Sequence, residues 1–301
     1  MMEPNSGLSF VEREERRRVF WSVYILDKLC SCGRARPSAV ADSHCHVQLP
    51  CEESSFRDGA QSCTPTLGRM FSSAASEDCQ STHLSPFALV VLTASIIGRC
   101  AQYSIHEHSD EGSRLPPWDA RSEFARIYSV LLQLETRFEI GIGISEILRR
   151  DCVQDGRVEM QLAGPVIFSR AMFYTCQCLL HHPLLLYRQF ELRGVDVPPS
   201  FLARALQTCR ENACLISDLL LETRVEGYSA SFSFMGYCAT VAGGVHVMHL
   251  NHEDGTLRLQ ATGHIQSVTS FLEEFSRYWR HGKCMVLHPL NYIQSYNLSN
   301  K

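Results

Sequence analysis

The sequence predicts an all-α fold, a multi-helix bundle or array of about seven helices. Apolar residues recur at the helical period of about 3.6 residues along most of the chain, and no alternating, strand-like run of useful length occurs. Proline and glycine separate the apolar segments and mark where helices end. With 301 residues, 45% hydrophobic and 20% charged, the chain has the composition of an ordinary globular protein.

The first predicted helix covers residues 11–32. Glu14 and Arg18 stand at i and i+4 in the favourable order, with the glutamate first. Gly33 is a typical residue for the end of a helix. Residues 19–26 leave almost no polar side, so we expect this part of the helix to be buried nearly all round.

Residues 51–83 differ in composition from the rest of the chain. They contain seven serines, and their apolar residues are isolated. Such a segment cannot bury enough apolar surface to offset the entropy of ordering it. We therefore expect a mobile, serine-rich linker here.

The rest of the chain, residues 84–301, is predicted to be helical. We expect a connection at residues 141–157 and a break or kink at Pro183. A heptad-like seam, with spacings of 4, 3, 4, 3 and 4, favours packing inside the domain over self-association; it consists of Leu202, Leu206, Cys209, Ala213, Ile216 and Leu220. The predicted helical segments are residues 85–105, 119–138, 165–182, 202–220, 229–250 and 257–280.

Charge and cysteine content limit the classes of function. The 28 basic residues are outnumbered by 32 acidic ones, so the net charge of −4 offers no general attraction for nucleic acid. The 14 cysteines are scattered, which favours reduced thiols in an intracellular protein over a disulfide-stapled one. Residues 229–250 carry no charge, but serines, Thr240, His246 and a Gly-Gly pair dilute their apolarity. We expect a buried core helix there and no membrane anchor.

Asp27 lies in the apolar part of the first helix. An unpaired carboxylate buried there would cost several kcal/mol, so we expect a cationic partner. Arg34 or Arg36, just after the helix, can supply it by folding back. The alternative is that Asp27 lies at the edge of the core and is solvated.

Residues 12–50 resemble the middle homology region of the fungal-specific transcription factor domain, found in the binuclear zinc-cluster regulators. Later segments that also resemble it are residues 180–185, Gly236-Tyr237, Val245-His246 and residues 276–279, so the resemblance runs from about residue 10 to about residue 282. The residues singled out as the family motif are Arg18, Phe20, Trp21, Asp27, Gly33, Arg34, Arg36, Pro37, Leu49 and Pro50. Glu14, Arg17, Leu26, Asp42 and Val47 match the pattern as well.

The resemblance implies a domain organisation and a function. Residues 1–50 would be the start of a helical regulatory domain, residues 51–83 its linker and residues 84–301 its helical remainder. The chain would be a non-enzymatic transcription regulator in the nucleus, controlling metabolic or secondary-metabolite genes. Its partners would be proteins, either a second copy or another regulator, together with a small-molecule effector.

The cysteine spacing departs from the family. The family's zinc cluster needs two Cys-x-x-Cys pairs, each with a further cysteine, and this sequence has no such pair. We therefore expect zinc only in a missing upstream cluster. The motifs present in the sequence also lead us to expect no catalytic residue, cofactor or other metal site in this chain. DNA would be reached through that missing N-terminal module or through a partner. An incomplete gene model is one origin of such a chain.

One alternative function is a small-molecule-binding or metal-dependent helical enzyme. His246, His249 and His252, followed by Glu253, recur at helical spacing and are metal-ligand types, as are residues 44–46 with Cys51. Neither spacing matches a known metal site, and enzyme motifs such as Gly-x-Ser-x-Gly and His-Glu-x-x-His are absent from the sequence. Transcription regulation is therefore favoured over the enzyme.

Overall fold

Eleven α-helices supply almost all the regular structure in the computed structural model, which describes residues 7–32, 37–71, 84–105, 115–139, 141–154, 156–194, 196–228 and 232–285. The helices are α1 Phe10–Ser31, α2 Glu53–Asp58, α3 Leu67–Met70, α4 Pro86–Ile105, α5 Glu123–Glu135, α6 Ile144–Asp151, α7 Met160–Leu180, α8 Pro183–Arg193, α9 Pro199–Val225, α10 Met235–Val247 and α11 Gly255–Phe275. A 3-10 turn at Asp42–His44 and an antiparallel pair of two-residue strands, β1 Val153–Gln154 and β2 Arg157–Val158, complete the described elements. The all-α prediction is confirmed, with more helices than the predicted seven because several are short.

Helix α1 begins with a capping box. The Ser9 hydroxyl accepts a hydrogen bond from the Glu12 amide (3.3 Å), and the Glu12 carboxylate accepts one from the Ser9 amide (2.7 Å). Each side chain thus accepts a hydrogen bond from a backbone amide that would otherwise be unpaired at the helix end. The helix therefore begins where the sequence changes from polar to amphipathic.

Only one face of α1 is buried. Trp21 and Tyr24 are fully buried on the side that packs against α4. The opposite side exposes Val19, Val23 and Leu26, at 64%, 58% and 63%. The prediction of burial all round was wrong, because apolar residues occupy both faces and the described helices cover only one.

Helix α7 lies at the centre of the fold. Fifteen of its 21 residues are buried, and it packs against α4, α9 and α10. It begins before Pro165, which lies inside the helix, and it ends at Leu180. As predicted, the helix is interrupted at Pro183, which is the first residue of α8.

One described helix is long and apolar enough to cross a membrane. It is the window Pro86–Tyr103 of α4, and 72% of this window is buried inside the protein. This helix, α4, packs between α1 and α7, and a helix buried in the core of a protein is apolar for the same reason as one that crosses a membrane. The uncharged segment at residues 229–250 contributes α10, most of which is buried, as expected for a core helix.

Two segments contain more structure than their composition predicts. In the expected linker, α2 and α3 form within residues 51–71, Leu67 is fully buried, and the Leu49 amide donates to the Pro65 carbonyl (2.8 Å). Isolated apolar residues were enough to dock this part of the segment; residues 72–83 lie outside the described residues. The expected connection at residues 141–157 contains α6 and the start of the strand pair.

Candidate functional site

A buried carboxylate on α1 joins this helix to the segment that follows Pro50. Glu14 is fully buried and forms ion pairs with Arg17 and with Arg18 (3.2 Å). It also accepts a hydrogen bond from the amide of Cys51 (3.0 Å). The i,i+4 pair predicted from the sequence is therefore present, but its main role is a long-range connection.

Arg18 extends this connection to α2. Its guanidinium donates to the Glu53 carboxylate (2.6 Å) and to the Cys51 carbonyl (3.2 Å). The guanidinium carbon lies 4.1 Å from the centre of the Phe56 ring. The Arg18 guanidinium thus combines an ion pair, a hydrogen bond to the main chain and a cation–π contact, and these three contacts hold α2 against α1.

A second buried charge cluster joins α1 to α4 through the Asp42 turn. Lys28, which is 5% exposed, pairs with Asp42 (2.9 Å), and Arg99 pairs with the other carboxylate oxygen (2.9 Å). The hydroxyls of Tyr24 and Ser95 also donate to this carboxylate, both at 2.6 Å. Burial raises the pKa of Asp42, but the bonds from Ser95 and Tyr24 and the charge of Lys28 outweigh it and lower the pKa to about 2.

Asp27 has a different environment from Asp42. It is half-buried, and its carboxylate accepts hydrogen bonds from the amides of Ala39 (2.9 Å) and Val40 (3.0 Å). These bonds fasten the chain after α1 back onto the helix. The predicted partners, Arg34 and Arg36, lie outside the described residues, so that ion pair stays a prediction. Sequence reasoning missed the pairing of Lys28 with Asp42, because helical spacing does not reveal contacts with a loop.

The other predicted motif residues lie in the same region, which we call the junction; it consists of α1, the Asp42 turn, residues 48–53 and α4. The Trp21 indole donates to the Gln48 carbonyl (2.7 Å), and the Phe20 ring packs edge-on against Trp21. Leu49 is fully buried, and the Pro50 carbonyl accepts a hydrogen bond from the Ser85 hydroxyl (2.9 Å) at the start of α4. Pro37 is exposed, and Gly33 lies outside the described residues. The structure thus gives most motif residues a structural role.

A cavity of about 640 Å³ lies beside this junction, a size typical of sites for small organic molecules. It is bordered by α2, the start of α4, the turn after α5, α6 and the first half of α7. Its apolar wall is formed by Leu84, Leu89, Phe138, Ile147, Leu162 and Val166. Its charged residues are Glu52, Glu53, Arg57, Arg137, Glu139, Arg150, Asp151 and Arg170.

Arg170 is the buried cation of this cavity. Only 2% of the residue is exposed, and one terminal nitrogen donates to the carbonyls of Phe138 (2.5 Å) and Glu139 (2.8 Å). Glu139 adopts a positive φ of 45°. The Nε of Arg170 has no hydrogen-bond partner among the described residues. The sequence did carry a signal for it, since Arg170 is the only Asp, Glu, Lys or Arg between Glu159 and Arg188.

The histidines of the alternative hypothesis do not form a common site. His246 is buried, and its Nε2 lies 2.9 Å from the Ser217 hydroxyl, while its ring stacks on His264 at 4.8 Å. The Nδ1 of His249 bonds instead to the carbonyl of Val245 (3.0 Å). In the part of the chain that the structure describes, no group of three or more His, Cys, Asp and Glu side chains could hold a metal ion.

Comparisons with known proteins agree with the sequence resemblance. Residues 3–144 match the family described as "Fungal specific transcription factor domain". The chain is 25% identical over 279 residues to the "Zn(2)-C6 fungal-type transcription factor FTF1c" of Fusarium oxysporum f. sp. lycopersici, an alignment covering 90% of this chain and 29% of that protein. It is 24% identical over 284 residues to FTF2 of the same organism, covering 92% and 25%.

A third relative carries a more specific name. The chain is 33% identical over 115 residues to the "Ascochitine biosynthesis cluster transcriptional regulator" of Didymella fabae, covering 38% of this chain and 19% of that protein. The chain spans less than a third of the length of these relatives. No solved structure matches it. The resemblance predicted from the sequence is confirmed, and the enzyme alternative gains no support.

Proposed function

We propose that this chain, whose residues 3–144 match the fungal specific transcription factor domain, is the regulatory domain of a nuclear transcription regulator and not an enzyme. The observation that carries the proposal is the similarity to Zn(2)-C6 transcription factors over 90% of the chain. The buried junction supports it, because the motif residues of the family hold α1, the Asp42 turn and α4 together.

DNA binding is assigned to a module outside these 301 residues or to a partner. Specific recognition requires a scaffold that places side chains against base edges and cations against phosphates. The net charge of −4 and the absence of Cys-x-x-Cys pairs support this assignment. By the same reasoning, any zinc would be bound by that module and not by this chain.

The regulated genes are proposed to belong to a metabolic or secondary-metabolite cluster. The name of the Didymella fabae relative supports this, since it is a biosynthesis cluster regulator. We also infer protein partners, either a second copy or another regulator, because α1 exposes Val19, Val23 and Leu26 in one stripe. A small-molecule effector and the absence of a membrane anchor complete the proposal.

A reporter assay tests the regulatory role. The full chain is fused to an unrelated DNA-binding module, and the expression of a reporter behind that module's operator is measured. We expect a change in expression, accompanied by nuclear accumulation of a fluorescent fusion. A fusion that is folded and bound at the operator but leaves the reporter unchanged would contradict the proposal.

A matched variant separates regulation from folding. Val23→Glu alters the exposed stripe of α1 (58% exposed), whereas Leu259→Glu alters a still more exposed apolar residue on α11 (74% exposed). If the stripe contacts a partner, only the first variant changes the reporter signal. Light scattering of the purified chain then distinguishes self-association, which gives a dimer mass, from binding of another regulator.

A further inference from the structure

Three of the four acidic residues that line the cavity have cationic partners. Arg150 pairs with Glu139 (2.7 Å) and with Asp151 (2.8 Å). Glu53 pairs with Arg18 (2.6 Å). These ion pairs leave little negative charge in the cavity to attract a cationic ligand.

Arg170 is not neutralised in this way. No carboxylate in the described ranges forms a salt bridge with it: its terminal nitrogen bonds to two neutral main-chain carbonyls, and the guanidinium also interacts with the hydroxyl of Tyr174, which is neutral too. Those carbonyls fix the position of the guanidinium but leave its positive charge, and its Nε–H has no partner among the residues that the structure describes. A buried cation without a counter-charge is unfavourable, and an anion beside it removes that cost.

The wall next to Arg170 selects the rest of the ligand. Phe138, Leu162 and Val166 give an apolar surface on the same side of the cavity. Carboxylates fit the guanidinium well because they accept hydrogen bonds in its plane. A phosphate, with up to two negative charges, would leave part of its charge unpaired beside the single guanidinium of Arg170.

We propose that this cavity binds an organic carboxylate with an apolar body, and that Arg170 pairs with the carboxylate. The Nε–H of Arg170 donates to the carboxylate, while the apolar body lies against Leu162 and Val166. The assignment of this ligand as the effector rests on the proposed regulatory function. The binding itself is a property of the purified chain and is tested without transcription.

Titration calorimetry of the full 301-residue protein tests the proposal. The probes are decanoate and naphthoate, each compared with the neutral alcohol of the same skeleton, decanol and naphthalenemethanol. We expect at least one carboxylate to bind about tenfold or more tightly than its alcohol, a difference that corresponds to about 1.4 kcal/mol. Failure of both carboxylates to bind below about 1 mM, or equal affinities of acid and alcohol, would overturn the proposal.

Arg170→Gln tests the role of the cation. The variant should lose about tenfold or more of the carboxylate affinity and keep the affinity for the alcohol. Because Arg170 also binds two carbonyls, this variant is compared with the wild type by circular dichroism first. A folded Arg170→Gln protein that binds the carboxylate as tightly as the wild type would refute the assignment.

A second variant does not touch Arg170 and keeps the test valid if Arg170→Gln fails to fold. Val166→Phe fills the cavity from its half-buried wall, and Leu206→Phe places the same side chain on α9 away from the cavity. Val166→Phe should abolish carboxylate binding and Leu206→Phe should preserve it; equal binding by both would refute the site. A working reporter fusion whose chain binds no carboxylate would refute only the ligand and leave the regulatory role standing.

Discussion

Replacing Asp42 by Asn is the most informative perturbation of the buried junction. The amide keeps the size of the side chain and one oxygen acceptor, but it removes the negative charge that faces Lys28 and Arg99. Lys28 is 5% exposed, so it would be left as a buried cation. Removing one partner of a buried pair costs about 3–5 kcal/mol, which is the loss we expect in the free energy of unfolding.

The pKa of Asp42 gives a second, smaller value for how much its ionised carboxylate stabilises the fold. The carboxyl ionises at about 2 in the folded protein, against 3.8 in the absence of its neighbours. At about 1.36 kcal/mol per pH unit, this difference corresponds to about 2 kcal/mol. Only 20% of the side chain is exposed, so water screens the interaction little. The loss expected for Asp42→Asn is larger than this value because the substitution also leaves Lys28 buried without its carboxylate partner.

The pH dependence of this contribution has a definite sign. Because the pKa is lowered by folding, the unfolded chain takes up the proton first as the pH falls. The stabilisation is complete above about pH 4 and is lost as the pH falls towards about 2. The difference in stability between the wild type and Asp42→Asn should therefore narrow over this interval.

Urea unfolding at neutral pH, followed by circular dichroism, measures the effect. Asp58→Asn is the matched control, because Asp58 is an exposed carboxylate at the end of α2 and should change stability by less than about 0.5 kcal/mol. Adding Lys28→Met to Asp42→Asn should restore part of the loss by removing the stranded cation. A loss below about 1 kcal/mol, or a difference that stays constant as the pH falls, would refute the buried pair.

Three further predictions concern other parts of the chain. Gly236→Ala should destabilise by about 1–3 kcal/mol, because its new Cβ would lie 2.6 Å from the Phe275 ring, whereas Gly244→Ala on the same helix has nothing within 4 Å and should stabilise by up to about 1 kcal/mol; thermal unfolding compares them. Burial lowers the pKa of His246 to about 3, so the unfolded chain takes up this proton first and stability should fall as the pH drops below about 6.5; His246→Gln should weaken that slope in urea titrations. In a gel shift on randomised duplex DNA at physiological salt, the chain alone should retain no selected sequence, and selective retention at submicromolar affinity would assign DNA recognition to the helical domain itself.

Local pattern was sufficient to predict most of the helices. The Glu14/Arg18 pair, the glycine after α1 and the break at Pro183 are all sequence-local signals: the pair lies within α1, and helix ends lie close to the other two positions. Periodicity does not reveal which apolar face finds a partner, which is why the exposure of Val19 and Val23 was missed. The short helices α2 and α3 were missed because composition suggested disorder, although the fully buried Leu67 anchors this segment.

Long-range pairing was the part that the sequence could not supply. The apolar helical neighbours of Asp27 suggested that it is the carboxylate that pairs with a buried cation. In the structure its oxygens accept hydrogen bonds from loop amides, and it is Asp42 that pairs with the buried Lys28. Both aspartates lie within one matching motif, so only three-dimensional contact separates their roles. The cavity was not predicted either, since its wall comes from α2, α4, α6 and α7, which are distant in sequence. Arg170, isolated in an uncharged stretch, was its one local sign.

The junction and the cavity share a residue. Glu53 lines the cavity, and its carboxylate receives the 2.6 Å hydrogen bond from Arg18 of α1. Arg18 in turn binds Glu14, which lies on the same helix as the exposed stripe of Val19, Val23 and Leu26. A ligand that orders the cavity wall would therefore act on a short chain of ion pairs that ends on the buried face of α1, the helix whose opposite face is the surface proposed for partners. Because coupling between two sites requires a physical connection that both bias, Glu53 and Arg18 are where ligand binding and partner binding would meet.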